Sequence, residues 1–255
     1  MNNKRDLELF ASEKIETVEE GANLWEPSSE FVESTSLKQY MDWLCKHEGK
    51  CFETYAALWK WSTTDLEGFW GSLWNYFNIE SSEPYTRVLA SQQMPGADWF
   101  PGARLNYAEN IFRNERSGKD ALFYLSETTQ LQEMSWEELG SKVRVLATYM
   151  RAQGIQPGHR VVSYMPNIPE TVIAMLATTA IGAIWSSCSP DFGSDGVLDR
   201  VSQLEPQLIF VCDGYSYGGK TFDRRNEVAQ MCDRLPDLLE VIYLPRAFGA
   251  STLNA

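Results

Sequence analysis

The fold of this chain is decided by residues 208–221, which read LIFVCDGYSYGGKT. The first five residues, Leu208 to Cys212, are uncharged and rich in β-formers, so they predict a buried strand. The next residues have Walker A spacing: Gly214, four residues, then Gly219, Lys220 and Thr221. A glycine-rich loop after a strand can turn its amides toward a phosphate, and a lysine adds a positive charge. The stretch therefore predicts an anion site at the end of a buried strand.

A small P-loop NTPase is the first interpretation of that motif. Such an enzyme also needs further strands, one of which ends in an acidic Mg²⁺ ligand. Only one good strand follows Thr221, at residues 241–244, and it leads into Pro245 rather than an acid. The pattern favours anion binding with nucleotide hydrolysis carried out elsewhere or not at all, and the NTPase stays as an alternative.

Outward from this stretch, strand and helix patterns alternate from residue 120 onward. Strands are predicted at residues 121–125, 160–165, 183–188, 208–212 and 239–244, with a helix between each pair. A capping box at Ser135 to Glu138 opens the first of these helices, which ends at Gly154. This alternation predicts an α/β fold: a mostly parallel sheet with helices on both faces.

Ligands of such sheets bind beyond the carboxyl ends of the strands. The loops at residues 165–167, 189–193 and 213–220 all follow predicted strands and should lie at that edge. No G-x-G-x-x-G fingerprint occurs in them, which argues against a nicotinamide enzyme.

The region before residue 80 is helical and rich in aromatic residues. Apolar residues recur at three- and four-residue spacing from Ser36, and Phe69, Trp70, Trp74 and Phe77 follow one side of a later helix. Such stripes form core more often than a ligand cage, so we predict an α-helical aromatic-rich cap. Residues 80–103 are predicted to connect this cap to the sheet, with short strands or a path along the surface.

Composition excludes several classes of partner. The 255 residues carry a formal net charge of −13, which argues against nucleic acid and against anionic membranes. Residues 171–190 contain no charge, but their threonines, serines and Gly182 favour a helix followed by a strand over a membrane span.

The five cysteines are odd in number and scattered, which predicts unpaired thiols in a reducing compartment. Cys45, His47 and Cys51 lie close together and suggest a metal site, but no second ligand cluster of zinc spacing accompanies them. No metal ligand is therefore predicted.

Several longer motifs resemble the acetoacetyl-CoA synthetases, a branch of the adenylate-forming acyl-CoA synthetases. They are DWFPGARLNYAEN at residues 98–110, YMPN at 164–167, GAIWSS at 182–187, SPDFG at 189–193 and VLDR at 197–200. The aromatic helical region resembles the N-terminal cap of acetyl- and acetoacetyl-CoA synthetases. The resemblance covers about residues 24 to 245.

The resemblance implies a two-step ligase in the cytosol that uses acetoacetate, ATP, Mg²⁺ and coenzyme A. Residues 1–35 are acidic and weakly patterned, which predicts an irregular arm before the cap and connecting segment at 36–110. The resemblance implies that residues 111–255 are an incomplete α/β AMP-binding-type domain.

Coenzyme A contacts are implied by the same resemblance. The loop matching residues 217–220 holds the 3′-phosphate end of coenzyme A in the acetyl-CoA branch, and Lys220 matches one of its basic residues; Tyr217 stands where that branch has an arginine. The loop at 189–191 matches the stretch beside the pantetheine channel. The implied contacts are Lys220, Tyr217, Gly218, Gly219, Ser189, Pro190 and Asp191. A surface turn with a solvated lysine is the alternative interpretation.

Other parts of the family pattern do not occur in these 255 residues. They are the Thr/Ser/Gly-rich loop for the ATP phosphates, the adenine-side motif with its catalytic glutamate, and the small C-terminal domain with its adenylation lysine. We therefore interpret the chain as an N-terminal piece of an acetoacetate–CoA ligase, with no catalytic residue and no activity alone. A non-catalytic binding or regulatory partner of the full-length enzyme is the other alternative.

Overall fold

The computed structural model describes residues 18–249, which divide between Asn78 and Ile79 into two compact units. We refer to residues 18–78 as the helical unit and to residues 79–249 as the sheet unit.

The helical unit contains four α-helices and one π-helical turn. Their bounds are α1 Ser29–Ser34, α2 Ser36–Trp43, the π-helical turn Leu44–Glu48, α3 Tyr55–Thr64 and α4 Leu66–Tyr76. Side-chain oxygens of Thr35, Thr54 and Asp65 accept backbone N–H groups at the starts of α2, α3 and α4, which satisfies donors that a helix leaves unpaired. Helix α1 lies in the stretch predicted to be irregular.

Aromatic side chains form much of the core of the helical unit. Tyr40, Leu44 and Leu58 are buried, and Trp43, Trp61, Phe69 and Tyr76 are among the partly buried residues that pack against them. The hydroxyls of Tyr40 and Ser72 form a buried hydrogen bond of 2.6 Å. The prediction of an aromatic helical core is confirmed, although Trp59, Trp70 and Phe77 stay exposed.

The cysteine prediction is wrong for one pair, because Cys45 and Cys51 form a disulfide with a Cα–Cα distance of 4.3 Å. The π-helical turn ends at Gly49, whose φ of 65° reverses the chain and brings Cys51 back to Cys45. Cys188, Cys212 and Cys232 are free. Within residues 18–249, no three His, Cys, Asp or Glu side chains are grouped as metal ligands.

The sheet unit begins with short elements that precede the main sheet. Strands β1 (Leu89–Ser91) and β2 (Asp98–Trp99) pair antiparallel in the connecting segment, as predicted for it. Helix α5 (Tyr107–Phe112) follows, and Asn106 at its N-terminus donates a side-chain hydrogen bond to the carbonyl of Thr179.

The remaining elements follow in chain order: β3 Asp120–Ser126, β4 Thr129–Ser135, α6 Trp136–Ala152, β5 Arg160–Tyr164, α7 Pro169–Ala180, β6 Ile184–Cys188, α8 Ser194–Ser202, β7 Leu208–Cys212, β8 Gly214–Tyr217, β9 Lys220–Asp223, α9 Arg225–Asp233 and β10 Glu240–Leu244. Four of these strands form a parallel sheet in the order β10-β7-β5-β6. The predicted α/β class is confirmed.

The first predicted strand lies outside that sheet. Strand β3 pairs antiparallel with β4, which the sequence analysis did not predict. Strand β4 is mostly exposed and polar, with Met134 as its one buried residue, so it lacks the apolar pattern of a buried strand. Strands β3 and β4 therefore form a separate hairpin before α6, whose N-cap Ser135 accepts the N–H of Glu138 as predicted.

Alternate residues of the central strands face two different cores. On β7, Leu208 and Phe210 pack with buried residues of α6 and α7, whereas Ile209 and Val211 pack with buried residues of α8 and α9. This period of two, with both faces covered, explains why the strand has no polar side. Each fully buried aliphatic side chain contributes about 1.5–3 kcal/mol, so these layers fix the strand ends.

The uncharged stretch at residues 171–190 divides as predicted into most of α7, a turn at Gly182 and β6. Over residues 18–249, every helix is too short or too polar to cross a bilayer.

Candidate functional site

A cavity of about 1050 Å³ lies where the parallel strands of the sheet unit end. Five segments line it: residues 125–129 between β3 and β4, 166–168 after β5, 189–191 after β6, 215–217 on β8, and 246–247 after β10. Parallel strands bring their carboxyl ends to one edge, which is why loops distant in sequence meet there. The cavity holds most of the loops that the sequence predicted at this edge.

The structure divides the predicted site residues into two groups. Ser189, Pro190, Asp191 and Tyr217 line the cavity. The other three, Gly218, Gly219 and Lys220, are exposed and are not part of its wall.

The Walker-like stretch folds as a β-hairpin. Strands β8 and β9 pair antiparallel, with Tyr217 opposite Lys220, and Gly218 and Gly219 form the two-residue turn with φ values of 59° and 70°. Such turns need positive φ at both central residues, which glycine adopts without strain. Lys220 begins a strand rather than a helix, so the P-loop interpretation is wrong. Two glycines between alternating aromatic residues are a hairpin signal that outweighs the motif spacing.

Glu127 already occupies the turn amides of that hairpin. Its carboxylate accepts the N–H of Gly218 at 2.7 Å and the N–H of Gly219 at 3.0 Å. These bonds, Gly219 first, lower the pKa of the Glu127 carboxyl below its ordinary value. Because Glu127 lies in the β3–β4 turn, the contact joins two hairpins that both line the cavity. No local sequence signal identifies this contact across 91 residues.

The loop at residues 189–191 is fixed through the carbonyl of Pro190. The Tyr164 hydroxyl donates to this oxygen at 3.1 Å and to the carbonyl of Phe192 at 3.2 Å, and the Nε of Arg224 donates to Pro190 at 2.6 Å. Tyr164 is fully buried, and burial raises the pKa of its phenol well above the ordinary value. The phenol therefore stays protonated and remains a hydrogen-bond donor.

Arg224 connects this loop to the β8–β9 hairpin. Its guanidinium lies over the ring of Tyr215 at 5.4 Å and over that of Phe222 at 5.9 Å, and it pairs with Glu227 at 3.1 Å. The Tyr215 and Phe222 rings stack at 5.0 Å. Cation–π contact and hydrogen bonds together hold two walls of the cavity in one arrangement.

Asp213 fixes the segment after β10. It is fully buried, and its carboxylate accepts the N–H groups of Arg246, Ala247 and Phe248, each at 2.8 Å. Its backbone N–H donates to Leu244, and its carbonyl accepts from Arg224. Asp213, the residue just before the Walker-like spacing, thus fixes the backbone of residues 246–248, of which Arg246 and Ala247 line the cavity. The sequence signal for this residue is an acid that directly follows the five uncharged residues 208–212.

The cavity wall is mixed in polarity. Serine and threonine hydroxyls alternate with apolar residues such as Leu125, Pro166 and Ile168. Glu127 and Asp191 contribute negative charge, and of the described residues that line the cavity only Arg246 is basic. A wall of this kind suits a ligand with both apolar and polar sections.

Comparison with known proteins gives two family matches. Residues 111–249 match the model of the AMP-binding enzymes, and residues 55–111 match the model of the acetyl-coenzyme A synthetase N-terminus. The first match contains all five segments of the cavity.

Individual relatives agree with these matches. An acetoacetyl-coenzyme A synthetase of Rhizobium meliloti (strain 1021) is 42% identical over 83% of this chain and 32% of that protein. The Macaca fascicularis acetoacetyl-CoA synthetase is 38% identical over 87% of this chain and 33% of that protein. The solved structure of acetoacetyl-CoA synthetase from Streptomyces lividans is similar with a TM-score of 0.86 and 44% identity, over 91% of this chain and 36% of that one. The chain spans about a third of the length of the curated relatives that it matches.

Proposed function

Because the chain belongs to the family of AMP-binding enzymes, we propose that it is the N-terminal part of an acid–thiol ligase, an acetoacetate–CoA ligase. The names of the relatives support acetoacetate as the acid, and the match to an acetyl-coenzyme A synthetase N-terminus supports the position of this segment in the longer enzyme. Its partners are then small molecules: acetoacetate, ATP and coenzyme A.

The proposed reaction has two steps. A carboxylate oxygen of acetoacetate attacks the α-phosphorus of ATP, the bond to the β-phosphate oxygen breaks, and pyrophosphate leaves. The thiolate of coenzyme A then attacks the acyl carbon of the adenylate and expels AMP, which leaves acetoacetyl-CoA. Adenylation replaces a poor leaving group by a good one, and Mg²⁺, when bound, would supply neutralisation of phosphate charge.

The cavity at the ends of the parallel strands is the observation that carries this proposal, because four of the seven residues expected to contact coenzyme A line it. Tyr217 and the loop Ser189, Pro190 and Asp191 belong to that wall. Gly218, Gly219 and Lys220 lie on the adjoining hairpin turn, where they can reach a ligand only outside the described wall. We assign this cavity to coenzyme A.

No described residue is assigned to Mg²⁺ or to catalysis. Within residues 18–249 no three potential ligands are grouped, and the glycine-rich ATP loop of the family does not occur in the 255 residues. The role that we assign to this segment is to bind and position coenzyme A.

Two measurements test the proposal on the 255-residue chain. Isothermal titration should detect binding of coenzyme A and no binding of NAD⁺, which shares the adenosine diphosphate group but lacks pantetheine. Acetoacetate-dependent exchange of pyrophosphate into ATP should stay at the level without protein. Failure to bind millimolar coenzyme A would exclude the assigned cavity, and measurable exchange would exclude inactivity.

Strand β10 favours a second candidate, a non-catalytic partner of a full-length ligase. Within the described chain β10 is hydrogen-bonded to β7 on one side, and its other edge can receive a strand. Co-purification of the chain with full-length ligase would support this role. A monodisperse monomer that does not bind the full-length ligase would count against this partner role.

We also propose the cytoplasm as the location, supported by the resemblance and by three free cysteines. The Cys45–Cys51 disulfide argues in the other direction, since disulfides are rare in reducing compartments. Fractionation of cells that express a tagged chain decides between the cytoplasm and an oxidising compartment.

A further inference from the structure

Arg246 has a distinct place among the basic residues near the cavity. It lines the wall on the segment after β10. Arg224 donates a hydrogen bond to the carbonyl of Pro190 and forms an ion pair with Glu227. Arg225 forms an ion pair with Asp223 and lies over the ring of Phe248. Within residues 18–249, the guanidinium of Arg246 has no hydrogen bond or ion pair.

The backbone of Arg246 is fixed although its side chain is exposed. Its N–H and those of the next two residues donate to the fully buried carboxylate of Asp213, each at 2.8 Å. Three bonds to one buried acceptor hold this segment against the end of β7. A fixed backbone limits where the guanidinium can reach, so less conformational entropy is lost when it binds a ligand.

The charges of the cavity wall disfavour an anion except opposite the Arg246 guanidinium. Glu127 and Asp191 make the rest of the wall negative, and the chain as a whole carries a net charge of −13. An anionic ligand entering the cavity therefore needs a local cation, and Arg246 is the one that the described wall offers. The planar guanidinium matches the oxygens of a phosphate better than an ammonium does.

We infer that Arg246 contacts a phosphate group of the ligand bound in this cavity and selects for phosphate-bearing ligands. This inference rests on the proposed function, because it names the residue that receives the charged part of coenzyme A. It assigns the contact inside the cavity to Arg246 rather than to Lys220, which lies outside the wall.

The test compares Arg246→Ala, Arg246→Lys, Lys220→Ala and Arg234→Ala in the 255-residue chain. Arg234 is exposed and lies outside this cavity, so its variant controls for loss of one positive charge. Titration with coenzyme A should show affinity reduced about tenfold or more by Arg246→Ala, because a charge-assisted hydrogen bond is lost. Arg246→Lys should retain part of the affinity, Lys220→Ala should weaken coenzyme A less than Arg246→Ala does, and the Arg234→Ala control should lose less than about threefold.

Ligand comparison identifies the group that is contacted. Pantetheine, which lacks phosphate, should bind the unmodified chain and Arg246→Ala equally in saturation-transfer NMR. If Arg246→Ala weakens ATP and not coenzyme A, the phosphate contact is supported with ATP as its source. Thermal unfolding of each variant verifies folding, and Arg246→Lys carries the test if the alanine variant unfolds.

Two results overturn the inference alone: unchanged affinity of Arg246→Ala for both coenzyme A and ATP, or equal weakening of coenzyme A and pantetheine, which would indicate a structural effect. Absence of coenzyme A binding by the unmodified chain overturns both the inference and the proposed function.

Discussion

Asp213 and Glu127 are two carboxylates that accept backbone N–H groups at the same cavity, but in different surroundings. Asp213 is fully buried and accepts three N–H groups, all from consecutive residues. Glu127 is exposed and accepts two, from a hairpin turn 91 and 92 residues away. In water the lost partner of an N–H is replaced by solvent, whereas in the interior it is not replaced. Because of this difference in burial, the contacts of Asp213, which we call the anchor, should be costly to break. The contacts of Glu127, which we call the latch, should break at little cost.

The largest effect is expected from Asp213→Ala. Three backbone donors lose their acceptor in a buried position, which should lower the free energy of unfolding by about 3 kcal/mol or more. Urea unfolding measures this loss. Asp237→Ala, which removes an exposed acid of the same unit, is the control and should have little effect. Equal stability of the two variants would contradict the anchor role.

An intermediate effect is expected from Tyr164→Phe, which separates burial from charge. The buried hydroxyl donates to two carbonyls, but Pro190 keeps the hydrogen bond from Arg224. The expected loss is about 1–2 kcal/mol in the same urea experiment. Tyr107→Phe removes the hydroxyl of an exposed tyrosine and should be neutral. A loss as large as that of Asp213→Ala would mean that the negative charge of Asp213 adds nothing to the effect of its burial.

The smallest effect on stability is expected from Glu127→Gln, which should leave urea unfolding unchanged while speeding amide hydrogen exchange at Gly218 and Gly219. The pKa of Glu127 is lowered in the folded chain. The small contribution of the Glu127 carboxylate to the free energy of unfolding is therefore present above the unfolded-state pKa. It is lost as pH falls through the lower folded-state pKa.

An NMR titration of the two glycine amides checks the sign of that shift. Their chemical shifts should change with a midpoint below the ordinary Glu value of 4.5. A midpoint at or above that value, or exchange unaffected by Glu127→Gln, would show that the latch does not form in solution.

Local patterns were sufficient for most of the fold. Leu208–Cys212 was predicted as a buried strand from its five uncharged residues, and all five are buried. Ser135 was predicted to cap α6 from the position of Glu138, and it does. In both cases the physical cause lies within a few residues, since strand burial follows composition and helix capping follows spacing.

Predictions that depended on how a turn brings neighbouring segments together were less successful. Lys220 was expected in a glycine-rich loop, but it begins β9 opposite Tyr217 of β8. Strand β4 was missed because only its pairing with β3 makes it a strand. Cys45 and Cys51 were expected to be unpaired because the reversal at Gly49 was not recognised.

The sequence by itself determined the α/β class, the central strands, the edge of the sheet where the cavity lies and the resemblance to a ligase family. Each of these follows from the order and periodicity of apolar residues or from continuous motifs. Only the tertiary structure decided that Asp213 supports Arg246, that Glu127 holds the glycine turn and that Tyr164 and Arg224 meet at Pro190. Those contacts join residues 26 to 92 positions apart. Local sequence patterns cannot predict them, because the residues meet only after the sheet has brought their loops together.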